Sequence, residues 1–139
     1  MEAYLDNAAT TPVFSEVKDI MGKVMEEDFG NPSSRHTKGI VAERYMKEAA
    51  EIIAGKLKCQ PKEIIFTSGG TESNNMALIG TALANKRAGK HIITTRIEHA
   101  SVHEPLGFLE EMGFEVTYLP VDKNGRVSAE QVKQALRED

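Results

Sequence analysis

The chain has 139 residues, 40% of them hydrophobic and 27% charged, a balance that predicts a single globular unit and not a disordered chain. Twenty-one acidic against seventeen basic residues give a net charge of −4 with no Lys/Arg-rich run, which argues against a nucleic-acid partner. The apolar stretches are too short to span a bilayer, and Met1 to Asp6 lacks the basic and then apolar regions of a signal peptide, so a cytoplasmic, membrane-free protein is expected. The lone Cys59 excludes an internal disulfide framework and cannot by itself build a thiolate metal centre.

In chain order, the first predicted element follows Pro12, where Val13, Val17, Ile20, Met21, Val24 and Met25 recur at helical spacing. Phe29-Gly30-Asn31-Pro32 stops it. A second helix carries Ile40, Val41, Tyr45, Met46, Ala49, Ile52, Ile53 and Leu57 on one face, a stripe expected to be core, with Glu43, Lys47, Glu48 and Glu51 opposite. From Ile64 the period changes: Ile64-Ile65-Phe66-Thr67 predicts a short strand, Ser68-Gly69-Gly70 a turn, and a helix starts near Thr71. The unit repeats as a strand over His91–Thr95, a helix from Ser101 to Met112, a strand over Glu115–Leu119 and a turn at Asp122-Lys123-Asn124-Gly125. Ser128 with Gln131 predicts a capping box at the start of a last helix. Strands alternating with helices imply an α/β fold with a mainly parallel sheet covered on both faces, preceded by a helical layer in the first sixty residues.

Two features could carry chemistry. Phe66-Thr67-Ser68-Gly69-Gly70-Thr71-Glu72-Ser73 joins a strand to a helix start, where glycines allow close approach and the free N–H groups and macrodipole favour an anion. A phosphate would suit that turn, with the hydroxyl of Thr71 or Ser68 as a further donor. Its glycine spacing matches neither the dinucleotide fingerprint nor the nucleotide P-loop, and glycines in such turns also serve structure alone. Ile97-Glu98-His99 follows a strand end, where open α/β sheets bind ligands, and an imidazole there could stack on a planar ring or carry a proton. His99 and His103 have the spacing of paired metal ligands on a helix, but Ala100 stands where zinc proteases carry Glu and no third ligand is indicated, so no metal is expected. The polar loops Asp6–Pro12 and Asn31–His36 read as turns when taken alone.

Taken together, five segments resemble the N-terminal part of the cysteine desulfurases: Tyr4–Thr11, Gly30–His36, Ile65–Asn75, Ile97–His99 and Tyr118–Asp122, in the same order and spacing. The resemblance covers nearly the whole chain and implies a fold-type I, class V aminotransferase-like enzyme that uses pyridoxal 5′-phosphate. It implies a three-layer α/β/α large domain, with residues 1–60 as N-terminal loop and helical arm and 61–139 as the first half of the cofactor-binding domain. Gly70 and Thr71 would hold the cofactor phosphate, His99 would stack on its ring and move protons, and Asn7 and Ala8 would lie near the substrate. The implied reaction converts L-cysteine to L-alanine and an enzyme-bound persulfide, for a sulfur-acceptor protein and iron–sulfur cluster assembly, in a homodimer.

The lysine that binds the cofactor, the acidic partner of its ring nitrogen and the catalytic cysteine belong to segments that follow Asp139 in the family. None of the eleven lysines has the family's context, and Cys59 lies in the wrong region. Residues 1–139 alone are therefore expected to be inactive and to act with the remainder of the polypeptide or a companion fragment. A selenocysteine lyase or another class V enzyme is the nearer alternative, and a non-catalytic interaction module the more distant one.

Overall fold

The structure, a computed structural model, describes residues 3–138 and divides into two units, Met1–Ile65 and Phe66–Asp139. In the first unit, α1 (Ser15–Glu26) carries the predicted apolar spacing. Its exit is tied by Lys38, whose Nζ donates to the Glu27 carbonyl at 2.5 Å and sits 5.2 Å from the centre of the Phe29 ring. The Asn31 side chain accepts from the Ser33 amide at 2.9 Å, and the Asn31 carbonyl accepts from the Ser34 amide at 2.9 Å, closing an Asx turn.

That turn runs directly into α2 (Thr37–Leu57), capped by the His36 ring, which accepts from the Gly39 amide at 3.4 Å. Gly39 is buried, and a Cβ there would meet the Ser34 carbonyl oxygen at 2.1 Å, so loop and helix approach more closely than any side chain allows. The helix ends at Lys58 in the left-handed conformation, and a 3₁₀ turn at Pro61–Glu63 packs back on it.

The expected core stripe of α2 is only partly core. Ala50 and Ala54 are buried, whereas Ile40, Met46, Ile52, Ile53 and Leu57 are exposed. An open groove of about 560 Å³ lies between this face and Ile20, Met21, Val24 and Met25 of α1. Among the described residues of this unit no further layer closes it.

The second unit holds α3 (Gly70–Asn85), β1 (His91–Thr95), α4 (Ala100–Glu111), β2 (Glu115–Leu119) and α5 (Ala129–Ala135). The strands pair in parallel, His91 opposite Glu115 and Thr95 opposite Leu119, with α4 as the crossover between them. Leu106, Leu109 and Phe114 form the buried centre, packed by Ile79, Ala82 and Leu83 of α3, Val102 of α4, and Ile92 and Val116 of the strands. The α5 capping box forms as expected, with reciprocal Ser128 and Gln131 bonds of 2.8 and 3.1 Å.

Ile64-Ile65-Phe66-Thr67 forms no strand among the described residues; the sheet has two strands. Ile64 has extended backbone angles, but extended backbone becomes a strand only against a neighbour, and the segment has none. Nor is the sheet buried on both faces, since every residue of β1 is half-buried and none fully buried. Its helical cover is the α3 and α4 layer around Leu106 and Leu109, with α5 also packed against β2. No described helix is long and apolar enough to cross a membrane.

Candidate functional site

The turn before α3 is folded by its own side chains. The Thr67 hydroxyl donates to the Gly69 carbonyl at 3.2 Å and lies 2.6 Å from the Ser73 hydroxyl. The Ser68 amide and hydroxyl both donate to one Glu72 carboxylate oxygen, each at 2.6 Å, and these bonds hold the Glu72 carboxyl below the usual carboxylate range. The Ser68 hydroxyl is therefore committed, which removes it from the two extra donors considered for an anion. The Thr71 hydroxyl has no partner among the described residues.

What remains is a cradle of backbone donors. Gly70, Thr71 and Glu72 are the first three residues of α3, and a helix gives its first amides no acceptor of its own. A Cβ built on Gly69 or Gly70 would meet no atom within 4 Å, so protein does not fill the space beside these amides. The arrangement fits an anion such as a phosphate, held by oriented N–H groups and the positive end of the helix.

His99 stands at the start of the adjacent helix and caps it with its own ring. Its Nδ1 accepts from the Ser101 amide at 3.1 Å and lies 2.9 Å from the Ser101 hydroxyl. Ser101 is buried, and its hydroxyl oxygen also accepts from Nδ2 of Asn74, one turn into α3, at 2.8 Å. The Asn74 bond thus joins the two helix N-termini that carry Gly70, Thr71 and His99. Sequence reasoning gave Asn74 and Ser101 no role; the available signal was a serine two residues after a histidine at a predicted helix start.

His103 stacks on Tyr118 at 5.9 Å and so does not converge with His99, whose Nδ1 is already engaged. No described cluster of His, Cys, Asp or Glu could hold a metal ion. Asn7 and Ala8 lie on an exposed turn of the first unit, closed by the Ala9 amide on the Asp6 carbonyl at 3.1 Å. Cys59 follows the end of α2 and is half-buried.

Residues 3–139 match the family model for aminotransferase class V. The chain belongs to that family. A cysteine desulfurase IscS from Dictyoglomus turgidum is 54% identical over 99% of this chain, which spans 35% of that relative's length. Among solved structures, a NifS-like protein superposes with a TM-score of 0.92 and 42% identity over the whole chain, covering 38% of that protein. A structure titled SspA in complex with cysteine gives a TM-score of 0.87 and 44% identity, with 96% of this chain and 39% of that one covered. The α/β fold with a parallel sheet is therefore that of the class V enzymes, and this chain corresponds to their N-terminal third.

Proposed function

We propose that the chain is the N-terminal part of a cytoplasmic, pyridoxal 5′-phosphate-dependent cysteine desulfurase, in which residues 1–60 form an arm and 61–139 begin the large domain. The observation that carries the reading is the Asn74–Ser101 bond, which couples an anion cradle to an imidazole on adjacent helix starts. Its support in sequence is the 54% identity to a cysteine desulfurase.

The amides of Gly70 and Thr71, with the Thr71 hydroxyl, would hold the cofactor phosphate. Bound there, the cofactor supplies an electron sink for breaking the substrate's C–S bond. His99 would hold and move a proton at the ring face, and Asn7 and Ala8 would border the substrate. The substrate is L-cysteine: its carbon skeleton leaves as L-alanine, and its sulfur passes to an enzyme thiolate as a persulfide for an acceptor protein. The cofactor-binding lysine and that thiolate belong to the parts of the fold outside residues 1–139, and the active assembly is a homodimer of the full polypeptide.

The test uses the full polypeptide. Purified with cofactor, it should release sulfide from L-cysteine under reducing conditions, more efficiently than it releases selenide from selenocysteine; the reverse preference would assign a selenocysteine lyase. Thr71→Val removes one hydrogen bond to a charged phosphate, worth about 1.5–3 kcal/mol, and should weaken cofactor affinity about ten- to a hundredfold. Unchanged affinity would remove Thr71 from the site.

A further inference from the structure

We propose that Asn74 and Ser101 are positioning residues that fix the tautomer of His99, keeping Nδ1 as an acceptor and the ring proton on Nε2. A backbone N–H can only donate, so the Ser101 amide 3.1 Å from Nδ1 requires a lone pair on that nitrogen. The Ser101 hydroxyl can give or take a proton, and Asn74 decides which. Its amide donates to the hydroxyl oxygen at 2.8 Å, which turns the hydroxyl hydrogen towards Nδ1 at 2.9 Å. Two donors then converge on Nδ1, and a neutral imidazole with an unprotonated Nδ1 carries its hydrogen on Nε2.

Ser101 is 8% exposed, so water competes poorly for its hydroxyl, whereas Asn74 is half-buried and His99 is exposed. Nε2 has no partner among the described residues, so it is the nitrogen left for a ligand. For the desulfurase reading on which this consequence rests, His99 begins the cycle as a hydrogen-bond donor through Nε2. Taking a proton at Nε2 requires the other tautomer first, with the Ser101 hydroxyl rotated to accept from Nδ1–H and the backbone bond given up.

Histidine 15N chemical shifts and two-bond couplings read the tautomer without substrate. The full polypeptide labelled with 15N-histidine is measured at a pH where the ring is neutral, and the His99 signals are assigned by their loss in His99→Gln. The wild type should show an unprotonated Nδ1 and a protonated Nε2, and Ser101→Thr should preserve that pattern. Ser101→Ala keeps only the backbone donor and should shift the ratio of tautomers about tenfold towards Nδ1–H, the weight of one hydrogen bond. Asn74→Asp is nearly isosteric but can only accept; it should draw the Ser101 hydroxyl hydrogen to itself and reverse the tautomer. A protonated Nδ1 in the wild type, which needs no variant to observe, overturns the proposal, as does an Asn74→Asp spectrum identical to the wild type. Sulfide release is assayed on the same samples. The expected tautomer without sulfide release refutes the desulfurase reading alone, and release with the opposite tautomer refutes the relay alone.

Discussion

Glu72 shows how single residues set the candidate site. Its carboxylate sits in the first turn of α3, where a phosphate is also proposed to bind, yet it is turned back onto the Ser68 amide and hydroxyl. That contact keeps the loop folded and spends the Ser68 hydroxyl, leaving the Thr71 hydroxyl for a ligand. The bonds lower the folded-state pKa of Glu72 below its ordinary 4.5, the side-chain bond from Ser68 contributing most. A depressed carboxylate stabilises the fold above the unfolded-state pKa, and the contribution is lost as pH falls through the folded one. Glu72→Gln should therefore be less stable than wild type near neutrality, with the gap closing below the carboxylate range. Urea midpoints at neutral pH and in acid check this, and a gap that widens on acidification would contradict it. At this scale the sequence was uneven as a guide. Gly70, Thr71 and His99 stand out because a glycine turn at a helix start and a histidine past a strand end have general chemical meanings. Ser101 and Asn74 do not, since their role exists only when residues 27 apart in the chain meet.

The elements differ in how completely they are stabilised. Leu109 is fully buried with Leu106 and Phe114 at the meeting of α3, α4 and the strands, so Leu109→Ala should cost about 2–5 kcal/mol. The change in chemical-denaturation stability of the full polypeptide measures it, and a loss under about 1 kcal/mol would mean that the cluster is not a core. The bounds of β1 and β2 are legible from composition because each segment finds its partner within the chain, across the α4 crossover. Ile64–Thr67 has equally strand-like residues and no ladder. Strand propensity records fitness for a pleated, half-buried surface and carries no information about whether a neighbour is there. The same reasoning covers α2, whose apolar stripe is periodic and yet leaves Ile52 and Leu57 each 67% exposed. Periodicity identifies the face that seeks cover, and the covering layer has to be supplied by something else.

For the whole molecule, these uncovered surfaces share one explanation. Phe14, Ile52 and Ile65 of the first unit and Leu136 of the second are all exposed, and large exposed apolar side chains in such number ordinarily mark surface that another layer covers. The chain spans only 35% of its Dictyoglomus relative, and on the function proposed above the rest of the class V fold would cover α2, the sheet and the unpaired extended segment. Within residues 3–138 the Ile64 amide bonds to the Pro61 carbonyl at 3.1 Å, while the amides of Ile65, Phe66 and Thr67 have no partner. If a strand of the full polypeptide pairs with this segment, those three amides should exchange slowly with solvent, opening only with the large-domain sheet. In residues 1–139 produced alone they should exchange as freely as an unfolded loop, and the fragment should bind hydrophobic dyes and self-associate through its open sheet edges. Hydrogen exchange on the two samples decides the matter. Rapid exchange at Phe66 in the full polypeptide would show that the segment is a linker after all, and a monodisperse, cooperatively unfolding fragment would show that residues 1–139 complete their own core.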